Sequence, residues 1–137
     1  MLTLFRATVG MHGSSDALLY FDGTLTFDEL DARSDAFAES LLATGFSARD
    51  RVALYLQNDP SFVIALLGIW KAGGAAVVMN PMYRQREVNY LLSDSGATVL
   101  VCLDERYKDV ITDVIAGGDS YLQHVFISSP RDDQTRD

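Results

Sequence analysis

Trp70, Lys71, Ala72, Gly73, Gly74, Ala75, Ala76, Val77, Val78, Met79, Asn80, Pro81, Met82 and Tyr83 follow one another as W-K-A-G-G-A-A-V-V-M-N-P-M-Y. This stretch reads as a helix end, a turn and a strand. Lys71 closes a helix beside its negative dipole end, and Gly73-Gly74 offers the left-handed turn that glycine adopts at little cost. Residues 75–79 have no polar face and read as a buried strand. Immediately upstream, Asp59 is placed to cap a helix over residues 60–72. Pro60 falls at its first position, where a missing N–H costs nothing.

Working outward, the same alternation repeats. Residues 17–21 and 24–26 flank Asp22-Gly23, a favoured two-residue hairpin turn, so a short antiparallel ribbon is expected first. Thr26 and Glu29 have capping-box spacing, and Phe27, Leu30, Ser34, Phe37, Ala38, Leu41 and Leu42 form one stripe that ends at Gly45. Further strands are expected at residues 52–56, 98–102 and 124–127. Helices are expected over 85–93 and 105–116, the latter with Tyr107, Val110, Ile111, Val114 and Ile115 on one face. Apolar strands separated by helices mean a parallel sheet covered on both sides. The expected fold class is therefore α/β. It is a three-layer arrangement with a mostly parallel, four-stranded, flavodoxin-like sheet, preceded by a short β-hairpin.

A chain of 137 residues with 48% hydrophobic and 22% charged residues suits one soluble domain with its own core. Its net charge of -8 repels phosphate backbones and anionic lipid, which argues against nucleic acid as partner. The single Cys102 lies in an apolar strand, excludes an internal disulfide and reads as structural. The first ten residues lack the basic and apolar regions of a signal peptide. Lys71 and the glycine pair interrupt the longest apolar run, so no transmembrane segment is read and a cytoplasmic location is expected.

The W-K-A-G-G-A-A-V-V-M-N-P-M-Y stretch, T-L-T-F-D-E-L at residues 24–30 and L-L-S-D-S-G-A at residues 91–97 occur in an order that resembles the N-terminal region of the adenylate-forming acyl-CoA synthetases. The N-P-M-Y ending is most similar to the fatty acyl-CoA ligase branch, and the resemblance covers residues 18–116. It implies a parent reaction in which a fatty acid and ATP form an acyl-adenylate, with Mg2+ on the phosphates, before the acyl group passes to CoA. By resemblance to the acetyl-CoA synthetase branch, Met79, Asn80 and Pro81 lie against the CoA nucleotide, and the loop after the next strand brings basic side chains to its phosphates. Arg106 and Lys108 fall in that loop, and of the two only Lys108 approaches the matching position. The alternative for that basic pair is a solvated helix start balancing Asp104, Glu105 and Asp109. Residues 1–129 would then form an N-terminal subdomain and residues 130–137 a flexible tail, with the phosphate loop and the C-terminal domain outside these residues.

No catalytic or metal-binding residue is expected among the 137. Gly10 to Gly13, Gly73-Gly74 and Gly117-Gly118 lack phosphate-loop spacing, and His12 and His124 form no ligand cluster. The chain is expected to act as scaffold, inactive alone and without strong binding of ATP, Mg2+ or CoA. Two other readings stay open: an autonomous flavodoxin-like binding or regulatory module, and a truncated product that acts by assembly. The helix over 60–72 is apolar on all sides: either it lies in the interior between the sheet and the helix that starts at Phe27, or its outer face, Ile69 included, packs on the remainder of an enzyme or on a second copy.

Overall fold

A computed structural model describes residues 2–20, 23–57, 59–118 and 120–128. Helix α1 (Leu2–His12) leads into a hairpin of β1 (Asp16–Tyr20) and β2 (Gly23–Thr26). Then come α2 (Phe27–Ala43), β3 (Arg51–Tyr55), α3 (Pro60–Lys71), β4 (Ala75–Val78), α4 (Gln85–Ser95) and β5 (Val99–Leu103). The next helix, α5, is a composite of Asp104–Arg106, a π-helical stretch Tyr107–Ile111 and Thr112–Gly117, and β6 (His124–Ser128) follows. Strands β4, β3, β5 and β6 lie in that order in one parallel sheet, while β1 and β2 pair antiparallel. The expected α/β class, four-stranded sheet and leading hairpin are all present. Asp22 of the expected turn and the expected tail 130–137 lie outside the described residues.

Local chemistry explains the element boundaries. Thr26 Oγ1 accepts the Glu29 N–H at 3.1 Å and Glu29 Oε1 accepts the Thr26 N–H at 3.2 Å, which starts α2. Asp59 Oδ1 accepts the Phe62 N–H at 3.1 Å ahead of Pro60, which starts α3. That helix ends in a two-bond reversal: Gly73 N–H reaches Trp70 O at 3.0 Å and Gly74 N–H reaches Ile69 O at 2.9 Å. Gly73 alone takes the left-handed conformation, at φ 82°. Gly74 is needed for space instead, since a Cβ there would collide with the Phe46 ring.

Two cores sandwich the sheet. On one face α2 and α3 bury Leu41, Val52, Leu54, Ile69, Val99 and Val101; on the other α4 and α5 bury Tyr55, Met79, Leu92, Leu100, Cys102 and Ile111. Helices α2 and α3 approach closely because Gly68 has no side chain: a Cβ there would lie 2.6 Å from Phe37 Cδ2 and 3.1 Å from Ser34 O. Lys71 does more than face a helix end. Its Nζ donates to Asp31 Oδ1 at 2.7 Å, Asp35 Oδ1 at 2.7 Å and Ser34 Oγ at 2.8 Å, and lies 5.4 Å from the Phe5 ring centroid. This explains the polar Ser34 in the apolar stripe of α2.

Several expectations need correction. Residues 75–78 form an edge strand, not a buried one, and Val78 is 59% exposed. Leu42 and Ile115 are exposed at the margins of their stripes. Helix α3 has no exposed residue, and Ile69 is wholly buried rather than outward, because α1, α2 and the sheet together surround it. Helix α1 has no counterpart in the sequence reading, since none of its residues is buried and it carries no core stripe.

Candidate functional site

Strand order reverses between β3 and β5. In an open parallel sheet, that switch point and the loops beyond the strand C-termini form the place for a ligand. The register sets Leu54 beside Val78 and Tyr55 beside Cys102, so the exits of β3, β4 and β5 share one rim. The loop 79–84 leaves β4 there, and the first turn of α5 leaves β5.

The loop is a tight turn whose parts serve different purposes. Met79 is 1% exposed and belongs to the core beneath the rim, with its N–H on Leu54 O at 2.9 Å. Asn80 is exposed; its Oδ1 accepts the Met82 N–H at 2.8 Å and its main-chain oxygen accepts the Tyr83 N–H at 3.0 Å. Pro81 sits at the second position of that turn, where its fixed φ fits. Met82 projects outward, 73% exposed.

Of the two basic candidates, Arg106 turns inward and Lys108 turns out. Arg106 Nε donates to Pro81 O at 2.8 Å, while its Nη1 lies 4.0 Å from Asp109 Oδ2. Lys108 is exposed on the π-helical stretch. The structure thus joins Pro81 to Arg106 and leaves the Lys108 ammonium at the surface of the rim. Asp104 Oδ1 accepts the Glu105 N–H at 2.7 Å, so one carboxylate holds its own helix start and the other is exposed. Among the described residues there is no group of three or more His, Cys, Asp or Glu that could hold a metal ion.

Tyr55 was not legible as a rim residue. It ends β3 fully buried, and its hydroxyl donates to Tyr83 O across the loop. Burial pushes its phenol above the ordinary value of 10.0, while Arg106 and Arg84 pull it back in part. The usable signal was chemical: a tyrosine in an apolar strand at a switch point must find an acceptor for its O–H. Beside the loop, Tyr83, Arg86, Glu87, Tyr90 and Leu91 line an open groove of about 540 Å³.

Comparison with known proteins gives this geometry its context. The sequence matches the family described as AMP-binding enzyme over residues 5–135. It is 32% identical over 129 residues to the Long-chain-fatty-acid–CoA ligase of Escherichia coli O157:H7, covering 93% of this chain and 22% of that protein. It is 40% identical over 98 residues to Tyrocidine synthase 3 of Brevibacillus parabrevis, covering 72% of this chain and 2% of that protein. A benzoate CoA ligase from Burkholderia xenovorans LB400 has the same fold, with a TM-score of 0.85 at 24% identity over 94% of this chain and 25% of that one. The chain therefore spans about a quarter or less of the length of these relatives.

Proposed function

The chain belongs to the AMP-binding enzyme family, and on that premise we propose that it is the N-terminal part of a fatty acyl-CoA ligase acting in the cytoplasm. The parent reaction joins a fatty acid carboxylate to the AMP portion of ATP and releases pyrophosphate. The CoA thiol then displaces AMP at the acyl carbon. In this reading residues 1–129 are scaffold, and the groups that hold the triphosphate and its Mg2+ lie outside these 137 residues. What the chain contributes is the rim: Asn80 and Pro81 as a fixed turn, Met79 as the core residue beneath it, Arg106 behind it and Lys108 as an exposed cation that can meet a CoA phosphate. One exposed contact of that kind is worth at most about 1 kcal/mol, so CoA binding by the chain alone is weak.

The observation that carries the ligase reading is the span of likeness to the Escherichia coli ligase, 129 residues against 98 for Tyrocidine synthase 3. A second reading, a segment of a larger synthase, draws on the higher identity of that shorter match. A chimera separates them. These residues replace the matched segment of the Escherichia coli ligase, and pyrophosphate exchange and acyl-CoA formation are measured with fatty acids and with amino acids. Exchange with fatty acids in the chimera, and none above the blank for the isolated chain, is expected. A chimera with intact circular dichroism that exchanges only with amino acids, or with neither, overturns the ligase reading.

A further inference from the structure

The loop 79–84 connects an edge strand to a helix and contains a proline, circumstances in which main-chain groups commonly go to solvent. Here they do not. The Asn80 turn and the first turn of α4 satisfy the N–H groups: Met82 on Asn80 Oδ1, Tyr83 on Asn80 O, and Arg84 on Glu87 Oε2 at 3.2 Å. Two of the loop's carbonyls, Pro81 O and Tyr83 O, take their donors from elsewhere in the fold.

Those donors come from the two strands that flank the switch point. Tyr55, at the end of β3, gives its O–H to Tyr83 O, and Arg106, one turn beyond β5, gives its Nε–H to Pro81 O. The first is fully buried. The second is held at 20% side-chain exposure, which a freely solvated guanidinium would not be. The π-helical stretch begins at the very next residue, closed by Thr112 N–H on Tyr107 O, and such widened turns concentrate at functional positions. Lys108 lies inside it and is exposed. The widened turn therefore separates an arginine that serves the loop from a lysine that serves the surface.

We propose that Arg106 and Tyr55 are positioning residues that clamp the loop 79–84 through the carbonyls of Pro81 and Tyr83. The clamp stands without the reading of this rim as facing CoA; its benefit to CoA binding rests on that reading. Binding at a rim gains most when the loop is ordered beforehand, because the ligand then bears none of that ordering cost.

The test is amide hydrogen exchange on the full 137-residue chain, followed by titration with CoA as the probe. Tyr55→Phe keeps the ring and its packing and removes only the hydroxyl. Arg106→Gln removes the charged donor, and Arg106→Lys restores a charge and a donor. In Tyr55→Phe and Arg106→Gln, the Met82 and Tyr83 amides are expected to exchange about tenfold faster, with Arg106→Lys between wild type and Arg106→Gln. The amides of Leu54 and Val101 should stay at wild-type rates. Lys108→Ala should leave the loop's exchange unchanged while raising severalfold the CoA concentration needed for the shifts at Asn80 and Met82. Tyr55→Phe and Arg106→Gln should weaken those shifts, and Arg106→Lys should partly restore them.

Unchanged exchange at Met82 and Tyr83 in both variants would overturn the clamp, as would faster exchange that spread equally through the sheet. If the loop amides respond as expected but CoA shifts nothing, the clamp is supported and the CoA reading of the rim fails by itself. If CoA shifts the loop equally in wild type and Lys108→Ala, the role given to Lys108 is wrong.

Discussion

Cys102 shows how far the core controls a single side chain. It lies wholly inside β5, and burial, aided by the Asp104 carboxylate, pushes its thiol from 9.0 up to about 12. The thiolate is the reactive form, so folded Cys102 should resist alkylation at neutral pH and react as the chain unfolds. The same shift sets an alkaline limit to stability. Below 9.0 both folded and unfolded chains keep the proton, and the contribution is fully present; between 9.0 and about 12 only the unfolded chain has lost it, so stability falls as pH rises. The raised phenol of Tyr55 acts in the same direction. Urea midpoints measured from neutral to alkaline pH should decline above pH 9, and less steeply in Cys102→Ala. An identical alkaline slope in the two proteins would refute the assignment. Residue type and strand periodicity were enough to place Cys102, because its environment is its own strand and the helices packed on it. Arg106 was harder: its partner lies 25 residues away, and no local pattern distinguishes it from Lys108.

Elements in this fold are best defined where their chemistry is local. The Thr26–Glu29 box, the Asp59 cap and the Gly73 reversal each close within a few residues, so their spacing announces them. Thr26→Ala should remove one of the two capping bonds and cost about 1 kcal/mol, read as a lowered urea midpoint with an unchanged slope. A loss below the error of the measurement would mean that tertiary packing alone sets the start of α2. What the sequence withheld is what depends on distant elements. Helix α1 shows no stripe because it leans on α2 and α3 without burying any residue completely. Residues 75–78 look like a central strand by composition, and only the strand order makes them an edge. The Tyr55 clamp spans 28 residues, and the π-helical stretch leaves the apolar spacing of α5 intact. The rim was therefore found from topology, while the division of labour within it came from side-chain partners.

For the molecule as a whole, the question is which surface seeks a partner. Helix α3 looked like the answer because it is apolar around its axis, yet no residue of it is exposed and Ile69 is enclosed completely. The sheet's two edges present a stronger case. An edge strand offers a row of main-chain donors and acceptors to any extended segment, and a large apolar side chain on it adds buried area to such a contact. β4 and β6 are those edges, with Val78 59% exposed and Ile127 53% exposed. We therefore expect association of this chain to run through its edges, with either a second copy or a strand of a longer AMP-binding protein able to satisfy them. Val78→Lys and Ile127→Lys should lower the sedimentation-derived association constant while changing stability by no more than about 0.5 kcal/mol, as exposed substitutions usually do. Ile69→Lys should instead unfold the chain, because it places an ammonium without a partner in the core. Sedimentation and urea unfolding on the same samples separate the two surfaces. If Ile69→Lys stays folded and dissociates while the edge variants associate as before, α3 is the contact and the edges are not.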